Sequence, residues 1–309
     1  MKHAIASAAL FFAATCLAQA GTLHTYTSDA SGFDTHTYYY DDGQEVTVFD
    51  TQFLPSLTAD MLARIKETTR SPVTRVVVTH PNPDKFNGLS VLHAAGVESI
   101  ASAATQAAMP GVDAYKRHFW INVAGAFTPE TYPPFQPVKT TFTGSTVLKL
   151  RSGETITLFE LKHAGVASTQ TVARIDRTGD LIVGDLVHYK AHAWLEGGIV
   201  DGTARPDLAA WRAALQELPA LGKGKVYGGR GEVGGVAEVV AFQTEYLAWA
   251  DREVTDYVAS AAAAALADPA QASAHYAALQ KRFAAARPEL GLAYLVGYGV
   301  YGLVNAKLR

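Results

Sequence analysis

The sequence predicts an α/β fold in which helices cover buried strands. Residues 73–79 form a short β-branched run, which is typical of a strand covered on both faces. A loop, a helix to about residue 95 and a second strand over residues 97–101 follow it. This order of strand, loop, helix and strand indicates stacked layers of helix and sheet.

The first twenty residues have the pattern of a secretory signal. Lys2 precedes an apolar stretch over residues 4–17, and Ala18-Gln19-Ala20 fits a cleavage site. The apolar stretch is shorter than the roughly 20 residues that cross a bilayer. We therefore expect cleavage before Gly21, a periplasmic or secreted mature protein, and no membrane span after removal of the signal.

The composition excludes several classes of function. The 309 residues carry a net charge of −3 with interspersed charges, so nucleic acid is not an expected partner. The only cysteine, Cys16, lies in the signal-like segment, so the mature chain is predicted to have no disulfide and no sulfur ligand. Small-molecule chemistry or protein binding remains, and the sequence does not define the oligomeric state.

Strand and helix signals follow in order along the first half of the chain. Runs of strand propensity between residues 22 and 50, interrupted by the Asp41-Asp42-Gly43 turn, predict a β-hairpin or meander. Apolar residues at helical spacing predict a helix over residues 58–69 with Thr58 as its N-cap. Residues 118–138 are rich in aromatic residues and proline, and we expect this long loop to line or cover a site.

The second half is predicted to be antiparallel β structure followed by helices. Strands are expected over residues 138–150, 154–161, 171–176, 181–184 and 225–227. A helix is expected over residues 207–218, and a helical extension, including the alanine run 260–266, begins at Val236. We expect one domain over residues 21–235, with the extension 236–309 packed on it. The apolar stretch 290–304 is too short and interrupted to be a membrane span.

Three predicted strand ends offer side chains suited to a metal site. His80 ends the strand over residues 73–79 and is followed by Asn82 and Asp84, while His163 and Asp185 follow two later strands. Strand ends of α/β sheets gather ligands, and imidazole and carboxylate groups bind zinc. Taken singly, each residue is better explained as the cap of a turn. Taken together, they predict a shared site.

These residues resemble the signature regions of the metallo-β-lactamase fold in order and rough spacing. The matching segments are Asp50-Thr51, His80-x-Asn82-x-Asp84-Lys85 with Gly88, His163-Ala164-Gly165, Gly184-Asp185 and Gly229-Arg230-Gly231. The resemblance covers about residues 40–235. It implies an αββα four-layer sandwich with a metal site at one edge, and a hydrolase that acts on an ester, thioester or amide.

The chain departs from the family's motif, His-x-His-x-Asp-His, at several positions. Asn82 and Lys85 stand in place of the second and third histidines, and Arg230 stands where the last histidine is expected. An amide oxygen is a weak donor for zinc, and a fixed positive charge disfavours a divalent ion beside it. The resemblance then leaves at most one weakly bound zinc ion, with the ligands His80, Asp84, His163 and Asp185.

Two functional hypotheses follow. The first is an exported hydrolase with an atypical, at most mononuclear metal site, whose catalytic residues are Asp84, Asp185, Lys85 and Arg230. The second is a metal-free binding protein that holds an anionic small molecule with Lys85 and Arg230. The expected substrate contacts are His188, His192, Trp120 and Asn82, although His188 and His192 are equally well explained as partly exposed loop histidines. The aromatic loop 118–138 would serve as a lid under either hypothesis. A scaffold without a small ligand is a third possibility.

The coincidence of the two basic replacements carries a further prediction. Buried charges are tolerated when they are paired. We therefore expect Lys85 and Arg230 to pair with Asp84 and Asp185 in the space that the ion occupies in complete members of the family.

Overall fold

The computed structural model describes residues 20–261, 265–266 and 268–309. Two six-stranded sheets form its centre. Apolar side chains from both sheets pack against each other in the middle, and helices cover the two outer faces. The predicted αββα sandwich with C-terminal helices is therefore confirmed. Residues 1–19, which carry most of the signal-like segment, lie outside the described residues, as do residues 262–264 of the alanine run.

The first sheet has the strand order β1-β2-β3-β4-β5-β6. Its strands are β1 Thr22–Thr27, β2 His36–Asp41, β3 Val46–Phe49, β4 Val73–Val77, β5 Glu98–Ser102 and β6 Thr140–Phe142. The pairs from β1 to β3 are antiparallel, and those from β3 to β6 are parallel. The parallel strands β3 and β4 therefore end at the same edge, and the site is built there.

The second sheet has the strand order β14-β13-β10-β9-β8-β7. Its strands are β7 Ser145–Lys149, β8 Thr155–Glu160, β9 Thr171–Ile175, β10 Asp180–Tyr189, β13 Lys225–Gly231 and β14 Gly234–Gly235. A separate pair is formed by β11 Gly198–Val200 and β12 Thr203–Arg205. The long strands β10 and β13 run parallel, so their carboxyl ends reach the same edge of the molecule.

The helices lie outside the two sheets. They are α1 Pro55–Thr68, α2 Pro83–Phe86, α3 Leu89–Ala94, α4 Ala103–His118, α5 Leu208–Leu215, α6 Leu218–Leu221, α7 Val236–Ser260, α8 Pro269–Ala286 and α9 Tyr294–Lys307. A π-helical turn, Phe119–Val123, continues α4. Helices α1, α3 and α4 cover the first sheet, and α5 to α9 cover the second. Within the described residues, no helix combines the length and the apolar character that crossing a bilayer requires.

Several local predictions need correction. Helix α1 begins at Pro55, three residues before the expected cap, because proline suits the first turn of a helix. The strand expected over residues 138–150 is two strands in different sheets, since Gly144, with φ of 68°, turns the chain between β6 and β7. Helix α4 was not predicted. Strand β10 continues to Tyr189, well beyond the expected end at residue 184.

The last helix packs closely on the loop between β10 and β11. A Cβ atom added at Gly302 would lie 2.1 Å from the Glu196 carbonyl oxygen, and one at Gly299 would lie 2.7 Å from the Leu195 nitrogen. The two glycines therefore allow the α9 backbone to approach residues 195–196 directly. This contact gives the glycine-rich stretch its packing partner and brings α9 to the edge where the site lies.

Candidate functional site

Four charged side chains meet at the shared edge of the two sheets. Asp84 and Lys85 lie on the short helix α2, which follows β4, while Asp185 lies in β10 and Arg230 near the end of β13. Gly184 has a φ of 52°, and a Cβ atom there would lie 2.4 Å from the Thr79 hydroxyl. This close approach brings β10 against the end of β4 and places Asp185 beside α2.

The two acids and two bases form a closed network, which we call the four-charge cluster. Lys85 Nζ lies 2.8 Å from Asp84 Oδ2 and 3.0 Å from Asp185 Oδ1. Arg230 Nη1 lies 2.6 Å from Asp185 Oδ2, and Nη2 lies 3.1 Å from Asp84 Oδ2. Each carboxylate thus contacts both cations, and the charges balance. The structure shows the pairing that the sequence predicted.

The loop between β1 and β2 holds the Arg230 guanidinium in place. Arg230 Nε donates to the Phe33 carbonyl oxygen at 2.8 Å, and Nη2 donates to Thr35 Oγ1 at 2.8 Å. Thr35 Oγ1 in turn donates to the Gly32 carbonyl oxygen at 2.7 Å. Phe33 has a left-handed backbone with φ of 62°, which turns its carbonyl towards the guanidinium. A planar side chain with several donors suits this position.

The cluster shifts the pKa of its own members. Burial by itself raises the pKa of the Asp185 carboxyl, but Arg230 and Lys85 outweigh it and hold that pKa well below its usual value. The pKa of Asp84 is also lowered, because Lys85 and Arg230 outweigh its burial. Burial lowers the pKa of Lys85, yet the two carboxylates raise it above its usual value. All four groups therefore stay charged at ordinary pH.

His80 lies next to the cluster without joining it. Its side chain is fully buried, and Nδ1 lies 2.9 Å from the Thr79 hydroxyl. Its Nε2 lies 3.7 Å from Asp185 Oδ2 and has no hydrogen-bond partner in the part of the chain that the structure describes. Asp50 accepts hydrogen bonds from the Thr79 amide and hydroxyl, both at 2.8 Å. Thr79 thus links Asp50 to the His80 ring.

His163 lies elsewhere, which corrects the prediction that it shares this pocket. Its side chain is 48 % exposed, and Nδ1 lies 2.9 Å from Glu217 Oε1. The His163 backbone amide also donates to Glu217. Strand β8 ends at Glu160, so the chain has already left the sheet before His163 and turns towards the start of α6. The buried side chains of this loop include Val166 and Ala167, whereas His163 faces outwards.

The predicted substrate contacts of His188 and His192 also need correction. Because β10 continues to Tyr189, His188 is a buried strand residue rather than a loop residue. Burial lowers the pKa of His188 to about 3, and its ring nitrogens have no partner among the described residues. His192 is buried beside Tyr246, with Nδ1 3.1 Å from the tyrosine oxygen. Neither histidine borders the pocket described below.

The residues present do not fit a zinc ion. Across residues 20–261, 265–266 and 268–309, no three histidine, cysteine or acidic side chains are placed to hold a metal. Zinc would bind carboxylate oxygens at about 2.0–2.2 Å. Here Lys85 Nζ and the Arg230 guanidinium contact the carboxylates of Asp84 and Asp185 instead. An ion in this space would lie beside two fixed positive charges.

A small, half-open pocket, with about 30 Å³ of space for water-sized molecules, adjoins the four-charge cluster. Its lining residues are Phe33, Phe53, Asn82, Pro83, Asp84, Lys116, Trp120, Asp185, Trp194 and Arg230. The sequence predicted contacts from Trp120 and Asn82, and both border this pocket. Lys85 does not border it and is fully buried. It therefore acts on a ligand only through the two carboxylates.

Aromatic rings form one wall of the pocket. The Phe33 ring centroid lies 5.1 Å from that of Phe53, 5.7 Å from that of Trp120 and 5.7 Å from that of Trp194. Tyr298 of α9 stacks on Trp194 with a centroid separation of 6.2 Å. The rings pack on one another at distances typical of favourable aromatic contacts. The rings of this wall thus support one another.

Lys116 and Glu196 form a second buried ion pair at the pocket. Lys116 Nζ also lies 5.2 Å from the centroid of the Trp194 ring. Glu196 accepts a hydrogen bond from Trp194 Nε1 at 2.9 Å and another from the Tyr301 hydroxyl. No sequence pattern indicates this pair, because its members lie 80 positions apart and α4 was not predicted.

The two-sheet sandwich and the residues at its edge are those expected for the metallo-β-lactamase fold, and comparison with known proteins supports this assignment. The family model built from metallo-beta-lactamase superfamily sequences matches residues 30–230 of this chain. The chain therefore belongs to this family. The metal-binding pattern is degenerate, since Asn82, Lys85 and Arg230 replace three histidines of the family's motif.

Solved structures of this class share the fold at low sequence identity. A metallo-beta-lactamase from Pontibacter korlensis is 20 % identical with a TM-score of 0.56, covering 76 % of this chain and 97 % of its own. A metallo-beta-lactamase from Hirschia baltica is 18 % identical with a TM-score of 0.51, and the match covers 74 % of this chain and 92 % of the other. The metallo-beta-lactamase FIM-1 from Pseudomonas aeruginosa, in its mono-zinc form, is 16 % identical with a TM-score of 0.53. The match covers 74 % of this chain and 91 % of the other.

Proposed function

We propose that this protein is a metal-independent binding protein of the metallo-β-lactamase superfamily, in which the four-charge cluster replaces the metal centre. The observation that carries the proposal is the position of Lys85 Nζ, 2.8 Å from Asp84 and 3.0 Å from Asp185. Arg230 also contacts both carboxylates, those of Asp84 and Asp185. The two carboxylates that would bind an ion are thereby neutralised by the protein itself.

The energetics of buried charge support this proposal. Breaking a buried ion pair by removing one partner costs about 3–5 kcal/mol, because the remaining charge has no compensation. A divalent ion that entered between Asp84 and Asp185 would displace Lys85 and Arg230 from their carboxylates. Both cations would then be buried beside the ion, and repulsion would add to the cost.

The two carboxylates are also poorly suited to act as general bases. The pKa values of Asp84 and Asp185 are lowered by the adjacent cations, which outweigh the effect of burial. A general base works best when its pKa lies near the operating pH. The described geometry therefore favours binding of a ligand over activation of a water molecule.

Anion capture by Lys85 and Arg230, as predicted from the sequence, is not what this geometry favours. The Arg230 guanidinium already makes four hydrogen bonds, to Phe33, Asp185, Thr35 and Asp84. Lys85 is fully buried behind the two carboxylates. We propose instead that the ligand contacts the side chains that border the pocket.

The mononuclear hydrolase predicted from the sequence is the second proposal. The superfamily fold is that of hydrolases, and His80 Nε2 lies without a hydrogen-bond partner 3.7 Å from Asp185 within the described part of the chain. Turnover of an ester, thioester or β-lactam that stops when a chelator is added would favour this second proposal over the first.

Thermal denaturation with zinc or a chelator tests the first proposal. A ligand that binds only the native state at 100 times its Kd stabilises it by about 2.7 kcal/mol. We expect that neither added zinc nor EDTA changes the melting temperature. A rise with zinc in the wild type, which disappears in His80→Ala, would contradict the proposal.

We also propose that the protein is exported, and the basis for this is its signal-like N-terminal segment. Lys2, the apolar stretch over residues 4–17 and the small residues before Gly21 support it.

A further inference from the structure

We propose that a groove between the start of helix α5 and the end of helix α9 binds a small oxyanion with at least two negative charges, carried by phosphate or carboxylate groups. The groove shares no lining residue with the pocket beside the four-charge cluster. Anion binding in the groove is therefore independent of whether that cluster replaces a metal ion.

The groove is large enough for a small molecule. It has about 530 Å³ of space for water-sized molecules, which lies within the range of small-molecule sites. Leu208 and Leu303 line it with buried apolar side chains. Ala209 of α5 and Ala306 of α9 also line it, and their short side chains leave room for a ligand between the two helices.

The groove forms where the C-terminal extension packs on the rest of the fold. Its residues 205–212, at the end of β12 and in α5, belong to the segment that the family model matches, which ends at residue 230. Its remaining lining residues lie in α7, in α9 and just after α9, beyond that segment. The groove is thus separate from the site that the family's metal motif defines.

Arginines without an acidic partner gather at this groove. Nine of the fourteen arginines of the chain lie within 4.0 Å of a carboxylate oxygen. Within the described residues, the five that do not are Arg70, Arg205, Arg212, Arg252 and Arg309. Three of these five, Arg205, Arg212 and Arg309, line the groove. Their guanidinium groups are therefore available to an anion from solution.

The two acids of the groove already have partners of their own. Asp251 lies 2.6 Å from Lys307 Nζ. Asp207 caps helix α5, where its Oδ1 accepts a hydrogen bond from the Ala210 amide at 2.8 Å. Because this carboxylate occupies the helix N-terminus, the arginines rather than the helix select the ligand.

The balance of charge in the groove favours a multivalent anion. Four basic side chains, the three arginines and Lys307, face two acidic ones, so two positive charges are in excess. This excess is local, since the whole chain has a net charge of −3. Guanidinium groups bind carboxylate and phosphate oxygens through paired hydrogen bonds. An oxyanion with two or more charges would contact more than one arginine and balance the excess.

Titration with three anions tests the inference. Pyrophosphate and citrate are multivalent at neutral pH, whereas acetate carries a single charge. Each is titrated into the wild-type protein by calorimetry at low ionic strength, because salt screens charges at an open surface. The buffer is freed of divalent ions on a chelating resin. We expect pyrophosphate or citrate to bind at least tenfold more tightly than acetate.

Two groove variants and one matched control locate the site. Arg205→Gln and Arg212→Gln are each expected to weaken binding of the tighter anion about tenfold, which corresponds to about 1.4 kcal/mol. Arg70→Gln removes the same charge just after α1, which covers the other sheet, and is expected to leave binding unchanged. None of the three side chains makes an ion pair within the described residues, so the folds should persist, as melting without ligand checks.

Each result either supports or overturns the inference. Tighter binding of pyrophosphate would identify a phosphate ligand, and tighter binding of citrate a polycarboxylate. Binding of acetate as tight as that of both other anions would overturn the inference, as would the absence of binding by pyrophosphate and citrate. Equal weakening in Arg70→Gln and the groove variants would assign binding to net charge and also overturn it.

Discussion

Replacing Arg230 with methionine is expected to lower the free energy of unfolding by about 3–5 kcal/mol. The substitution leaves Asp185 and Asp84 buried with Lys85 as their only cation. It also removes the hydrogen bond that holds the Phe33 carbonyl oxygen. Methionine fills a similar volume, so loss of charge and hydrogen bonds dominates the effect. Urea-induced unfolding, followed by circular dichroism, measures the change.

A matched arginine on the surface provides the control. Arg64 pairs with Glu67 in α1, and both side chains are mostly exposed. Arg64→Met is expected to change the free energy of unfolding by less than about 0.5 kcal/mol. Arg230→Lys keeps the charge without the two-pronged geometry and should fall between the two variants. Equal effects of Arg230→Met and Arg64→Met would show that the cluster contributes no stability.

Acid should destabilise the protein through His188. Burial lowers the pKa of this imidazole from its usual value of 6.5 to about 3 in the native state. Below pH 6.5 the unfolded chain therefore binds a proton that the native state does not, so stability falls as the pH falls towards 3. This single group contributes a loss of roughly 2 kcal/mol between pH 8 and pH 5.

Replacement of His188 isolates this contribution. His188→Leu and His188→Gln both remove the titrating ring, one with an apolar and one with a polar side chain. Both should show a flatter dependence of the unfolding free energy on pH than the wild type, by a similar amount. The two variants then differ from each other only by an offset that is independent of pH. A wild-type slope retained in both variants would place the acid sensitivity elsewhere.

The altered metal motif could be predicted from the sequence because each of its parts is a short, recognisable segment. Asp84 lies close after His80, and Asp185 follows a recognisable strand, while the resemblance to the family added Lys85 and Arg230 at the positions of its histidines. Strand ends collect at one edge of an α/β sandwich, so the residues at those ends were expected to meet. The opposite charges then dictated their pairing. The family resemblance, rather than the strand ends alone, brought Arg230 into this prediction.

His163 shows where this reasoning fails. The prediction assumed that the chain stays at the sheet edge for two residues after residue 161, whereas β8 already ends at Glu160. His163 then pairs with Glu217, which lies 54 positions later. The sequence does not show which distant acid meets a loop histidine. The same limit applies to His188, whose burial depends on how far β10 continues.

The aromatic wall was beyond sequence reasoning for a related reason. Its rings come from separate segments of the chain: Phe33 from the loop after β1, Phe53 from the loop before α1, Trp120 from the turn after α4, Trp194 from the loop after β10 and Tyr298 from α9. Only Trp120 lies in the loop that was expected to line a site. The close contact of Gly299 and Gly302 with residues 195–196 brings α9, and with it Tyr298, to the pocket.

Elemental analysis of the protein after dialysis against excess zinc tests the central claim most directly. The wild type is compared with Lys85→His/Arg230→His, which restores two imidazoles beside Asp84 and Asp185. We predict no bound zinc in the wild type and measurable zinc in the double variant, because the variant removes both competing charges. About one equivalent of zinc in the wild type, lost in His80→Ala, would contradict a four-charge cluster that replaces the metal.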